Sequence, residues 1–168
     1  LDDPGEYWID RKNKFLYFLP QDKDPLKWGE IVLVFDIGPL VRAKNLAHVR
    51  FERIDFEYNY SSFARVGHSR DVRFFGCRFQ NGADCGIALH GSENRVVSCD
   101  FSQLGTQGVV CDGGDRKTLT PGSNLVENCH IHHVSLFKHN YAAGVHFGGC
   151  GNAVRHCKIH DVPHNAVL

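Results

Sequence analysis

The sequence predicts an all-β chain wound as a parallel β-helix, and three observations carry that reading. Four segments, Asp71–Phe79, Asn94–Phe101, Asn124–Ile131 and Asn152–Ile159, fall into one register; the last three share N-x-V-x-x-C-x-(F/I) and the first keeps its end. A second set of short apolar strands runs between them: Gly86–Leu89, Gly108–Cys111, Gly144–Phe147 and Ala166–Leu168. Helical periodicity is absent over most of the chain. The cysteines of the first set are separated by 22, 30 and 28 residues, a base period of about 22 with insertions. Such a unit, made of short strands, cannot bury its own apolar face and must stack on its neighbours as a solenoid.

Residues 1–44 do not repeat. Glu6–Asp10 and Phe15–Pro20 are aromatic stretches around the polar Arg11–Lys14, the pattern of an antiparallel hairpin. Gln21–Lys27, with Pro25, reads as a loop, Ile31–Phe35 as another strand, and Asp36–Pro39 as the turn into the first rung. Residues 45–168 divide into rungs at about 45–69, 70–93, 94–123, 124–151 and 152–168. A degenerate copy at Val49–Phe56 has Ile54 where the cysteine would be. Gly and Asn at the strand junctions are expected to supply the positive-φ corners. Two insertions, Asp112–Ser123 and His132–Ala143, are expected to project as loops on the side of the Gly-initiated strands. The last rung would leave open strand edges, and the chain opens Leu1-Asp2-Asp3. Further rungs of the same polypeptide are therefore expected at both ends.

Stacked rungs lie about 4.8 Å apart, which makes Cys77, Cys99, Cys129 and Cys157 one inward ladder, beside Phe79, Phe101, Ile131 and Ile159. That spacing exceeds the roughly 3.8 Å between Cβ atoms of a disulfide, so these are expected to be buried, reduced thiols. Seven cysteines without a C-x-x-C motif also leave no zinc-ribbon or redox pattern. The 168 residues carry 19 Lys plus Arg and 19 Asp plus Glu. A net charge of zero argues against a chain devoted to nucleic acid or an anionic membrane surface. The longest apolar run, Ile31–Phe35, is far too short to insert into a bilayer.

Several segments resemble a known group. Leu1–Arg11 leading to Leu16–Pro20, the loop Gly113–Gly122, Asn128–His132, and Gly151–His156 running through Ile159–Ala166 resemble large bacterial-type right-handed parallel β-helix proteins of the pectate-lyase-like superfamily. The resemblance covers essentially the whole chain. It implies a right-handed helix, a polysaccharide or glycan partner and an extracellular or cell-surface location. Members include glycoside hydrolases, and lyases or epimerases of uronate polymers. Because their catalytic residues differ between families, the resemblance transfers no catalytic residue.

Candidate chemistry comes from the columns that stacking creates. Outward positions form the rows Arg78–Asp100–His130–Lys158, Gln80–Ser102–His132–His160, His90–Asp112–Gly148 and Ala88–Val110–His146. Such columns are ordinarily solvated faces, with Arg78 and Asp100 an exposed cross-rung pair. Eight of the eleven histidines lie between His130 and His164, where they can act as acid or base, as metal ligands or as sugar hydrogen-bonders. Hydrolysis needs two carboxylates, for which Asp112 and Asp115 are candidates with Asp84 as a third. Lyase chemistry needs a base and a cation to neutralise a uronate carboxylate, roles open to His146 or His90 with Arg116 or Lys117. His90, Arg116, Lys117, His132, His133 and Tyr141 are the candidate substrate contacts, and His146 joins the three aspartates as a catalytic candidate. No cofactor is expected, and no metal, because His130-Ile131-His132 alone is a weak ligand pattern. The sequence leans toward a glycoside hydrolase; a non-catalytic adhesin or glycan-binding spacer and a uronate lyase or epimerase stand as alternatives.

Overall fold

In the computed structural model, described over residues 1–24, 27, 32–34 and 38–168, the chain divides into two units, Leu1–Leu33 and Val34–Leu168. The strand expected at Ile31–Phe35 and the turn at Asp36–Pro39 rest on residues outside the described set, as does Pro25. No helix among the described residues is long and apolar enough to cross a membrane.

The first unit is the expected hairpin. β1 (Tyr7–Asp10) pairs antiparallel with β2 (Phe15–Phe18), Tyr7 opposite Phe18 and Asp10 opposite Phe15. Its turn is closed by Asp10, whose Oδ1 accepts the backbone N–H groups of Lys12 and Asn13 at 3.0 Å. This is the local side-chain bond that makes Asp a turn former. Trp8 stacks on Tyr17 across the strands, ring centroids 5.5 Å apart.

The second unit is built from parallel pairs, with one antiparallel pair at β12. Its strands are β3 (Val41–Lys44), β4 (Ala47–Glu52), β5 (Asp55–Asn59), β6 (Ala64–Phe75), β7 (Arg78–Gly82), β8 (Ile87–Ser92), β9 (Arg95–Val97) and β10 (Asp100–Leu104). They continue as β11 (Val109–Asp115), β12 (Thr120–Pro121), β13 (Leu125–Glu127), β14 (His130–His132), β15 (Val145–Gly149), β16 (Ala153–Arg155) and β17 (Lys158–His160). One sheet runs β17-β14-β10-β7-β5; in the other, β6 pairs with β8 and, past a bend, with β9, and β8, β11 and β15 lie side by side. Parallel pairing begins at Val41, opposite Ala64, within the segment that shows no repeat in sequence.

Registers match the sequence columns. Asp100 lies opposite Arg78 and His130, and His130 opposite Lys158; Val109 lies opposite Ile87 and Val145. The buried faces are ladders of like residues. Phe56, Phe79 and Phe101 stack with centroids 4.7 and 4.8 Å apart, and Ile131 and Ile159 continue the column. A parallel column runs Phe51, Phe74, Val96, Val126 and Val154. All seven cysteines are free thiols; Cys77, Cys99 and Cys129 are buried, and Cys157 less so.

Three expectations need correction. The left-handed corners form three columns five residues apart: His48, Asp71, Glu93, Ser123 and Gly151; Arg53, Gly76, Ser98, Asn128 and His156; Tyr58, Asn81, Gln103, His133 and Asp161. Most are neither Gly nor Asn, although a left-handed non-glycine residue costs about 1–2 kcal/mol. The cost is offset because the corner N–H donates to the adjacent coil, as from Glu93 to Gly122 O (2.8 Å) and Ser98 to Glu127 O (3.0 Å). Asn94 and Asn124 meanwhile are not corner residues but are buried and bonded up the stack. Finally, Arg78 turns to Asp55 at 2.6 Å rather than to Asp100, because Asp100 is taken by His130.

Candidate functional site

Strands β8, β11 and β15 bring one set of candidates together. His90 and Asp112 are register partners, and parallel neighbours on one face must point the same way. His90 Nδ1 lies 3.1 Å from Asp112 Oδ2, both side chains about half exposed. A carboxylate this close to Nδ1 favours the tautomer with its proton there, which leaves Nε2 as the acceptor. On the other side Asp112 faces Gly148, where a Cβ would sit 1.8 Å from Asp112 Oδ1, so only glycine leaves the carboxylate its place. His146, two residues before Gly148 and opposite Val110, has a buried Nδ1 with no hydrogen-bond partner among the described residues.

The remaining aspartates are held elsewhere. Asp115 opens the loop after β11, where β12 pairs back antiparallel. Its Oδ1 accepts the Lys117 N–H at 2.8 Å, and that bond holds the carboxyl below its ordinary range. Arg116 donates Nε–H to Gly149 O at 2.9 Å, tethering its guanidinium beside the end of β15. Asp84, before β8, is held by Arg65 at 2.9 Å and Thr106 at 3.0 Å. Each carboxylate thus has its own partner. The second insertion leaves β14 rather than a Gly-initiated strand and is pinned by backbone bonds from Ser135 to Thr106 and Phe137 to Gly105, both 2.9 Å. Its Tyr141 is exposed, with its ring 5.7 Å from that of His164.

His132 and His133 belong to a different group, on β10, β14 and β17 and the corner beside them. His130 and His132 alternate on one face of β14, with rings stacked at 4.2 Å, and Asp100 and His160 come from the strands on either side. His130 Nδ1 lies 3.0 Å from Asp100 Oδ2, and its Nε2 lies 2.8 Å from His160 Nε2. His160 Nδ1 in turn meets Asp161 Oδ2 at 2.8 Å. The contact between the two Nε2 atoms needs a proton on one of them, and a proton on either Nδ1 would point at a carboxylate. His132 Nδ1 meets His133 Nδ1 at 2.8 Å, and His133 Nε2 lies 3.6 Å from Asp161 Oδ2. Burial, then the charge of His130, lowers the pKa of His132; the bond from His160 lowers that of Asp161. The sequence columns contain His130, His132 and His160, but nothing in the sequence shows that two corner residues, His133 and Asp161, close the group.

A further face also escapes the sequence reading. Arg50, Arg73 and Arg95 stand in register and help line a groove of about 240 Å³, with Arg50 4.6 Å over the Phe75 ring.

Among known proteins, a family model described as right handed beta helix region matches residues 38–135. No curated protein and no solved structure matches the chain. That match spans the parallel ladders from the turn before β3 through β14, and the chain belongs to the right-handed beta helix family.

Proposed function

We propose that the coils form a continuous solenoid of the pectate-lyase-like kind, which takes an acidic polysaccharide across β8, β11 and β15. There it abstracts the proton α to a uronate carboxylate. The observation that carries this reading is the His90–Asp112 pair, 3.1 Å apart and half exposed, beside the Arg116 tether at Gly149. His90 Nε2 is the base, Asp112 orients it and stabilises the imidazolium that forms, and Arg116 binds the carboxylate that takes up the developing charge. In elimination, C5–H gives its proton to His90, a C4=C5 double bond forms as the C4–O bond breaks, and the leaving oxygen takes a proton from solvent water, the resulting hydroxide being neutralised by the His90 imidazolium. The Arg50–Arg73–Arg95 column suits the same polyanion.

The test is incubation of the chain with polygalacturonate, alginate and a sulfated glycosaminoglycan, following unsaturated product, reducing ends and deuterium uptake from heavy water. Elimination gives unsaturated product, and epimerisation gives deuterium uptake without chain cleavage. Either should fall about 10²–10⁴-fold in His90→Ala. Reducing ends without unsaturation would return the reading to hydrolysis. Binding without turnover would make the chain a glycan-binding spacer, and turnover indifferent to His90 would remove this face from the chemistry.

A further inference from the structure

We propose that Asp100, His130 and His132 form a binding site for one divalent first-row transition-metal ion of the zinc class. The proposal concerns a different face from His90 and Asp112 and does not rest on the polysaccharide reading. One ligand atom from each residue lies within 4.8 Å of the others, and all three side chains are partly buried. Asp100 Oδ2 is 3.0 Å from His130 Nδ1 and 3.8 Å from His132 Nε2. Ligand atoms about 2.0–2.2 Å from a zinc-class ion lie at such separations from one another, so modest side-chain movement completes the set. Two imidazoles and one carboxylate select a borderline ion over calcium or magnesium, which prefer oxygen throughout.

The outer layer separates this group from an ordinary row of surface histidines. Metal-bound imidazoles need their second nitrogen held, which fixes ring orientation and tautomer. Both ligand histidines meet that requirement in the same way. His130 Nε2 is held by His160 Nε2, and His132 Nδ1 by His133 Nδ1, each at 2.8 Å. The far nitrogens of His160 and His133 then converge on one atom, Asp161 Oδ2, at 2.8 and 3.6 Å. An ion entering between Asp100 and His130 Nδ1 takes that nitrogen as a ligand and leaves the outer contacts in place. An open depression of about 350 Å³, lined in part by His133, Asp161 and Pro163, adjoins this layer.

The test is titration of the reduced chain with zinc chloride by calorimetry and with cobalt chloride by absorption. One equivalent should bind, with a cobalt spectrum lacking a thiolate charge-transfer band. His130→Gln and His132→Gln should each weaken binding by at least ten-fold. Asp161→Asn, which touches no metal, should weaken it about 10–100-fold at unchanged stoichiometry. His156→Gln, exposed and outside the group, should bind as the wild type does. If a histidine variant loses the β-type circular dichroism spectrum, Asp161→Asn decides. No binding by the wild type, binding indifferent to these substitutions, or a thiolate band abolished by Cys157→Ser would each overturn the proposal.

Discussion

Asn152 holds Asn124 twice: its Oδ1 accepts the Asn124 backbone N–H at 3.1 Å and the Asn124 Nδ2–H at 3.0 Å. The same relation repeats below, where Asn124 Oδ1 accepts the Asn94 N–H and Asn94 Oδ1 the Val72 N–H, both at 3.0 Å. Asn124→Ala removes an acceptor from a buried N–H and one donor from Gly91 O. A loss of about 1–3 kcal/mol is expected, read as a lower urea midpoint at unchanged slope.

Phe79 is fully buried between Phe56 and Phe101. Phe79→Ala opens a cavity in the middle of the stack and should cost about 3–5 kcal/mol, with Phe79→Leu costing less. Chemical unfolding of both variants checks the order.

Gly148→Ala tests the His90–Asp112 geometry without touching either residue. Its new Cβ would meet Asp112 Oδ1 at 1.8 Å, and the carboxylate is free enough to swing aside. Turnover of an acidic polysaccharide should fall on the order of 10²-fold, as for an ångström-scale misplacement, while the melting temperature changes little. Unchanged turnover would detach Asp112 from the chemistry.

Cys157 should be the first thiol to react. It is less buried than the ladder cysteines below it, and the Cys129 thiol, joined by the Cys129 backbone N–H at 3.4 Å, donates to its sulfur, which favours the thiolate. Desolvation instead pushes Cys85 and Cys111 up to about 12. Mass-mapped alkylation at neutral pH should label Cys157 well before Cys85 or Cys111. Cys129→Ala should slow that labelling.

Acid should weaken the histidine face in two steps. His132 has a folded pKa below its ordinary value, so its contribution is complete above about 6.5 and is lost as pH falls from there. Asp161, also lowered, contributes above about 4 and loses that contribution below it. The melting temperature should fall between pH 7.5 and pH 5, and by less in His132→Gln.

The ladder residues were legible in the chain because a parallel stack repeats each environment once per coil. Cys77, Cys99, Cys129 and Cys157 and the partners of Phe101 could be aligned by eye, and the structure pairs their neighbours in that register. Sequence also sorted His90 with Asp112, and His130 with Asp100, into common columns. It misread what varies around the coil. Residues as unlike as Arg53, Gly76, Ser98 and Asn128 share one corner, where each backbone N–H donates to a carbonyl about one repeat further along, whatever the side chain. Composition and period therefore determined the all-β stack, its buried ladders and its outward columns. Only the tertiary structure decided which side chains within and between columns meet. It turned Arg78 to Asp55, closed Asp115 onto its own loop, and carried His133 and Asp161 to the edge of the histidine face. Rotamers and corner geometry settle such contacts, and a linear pattern carries neither.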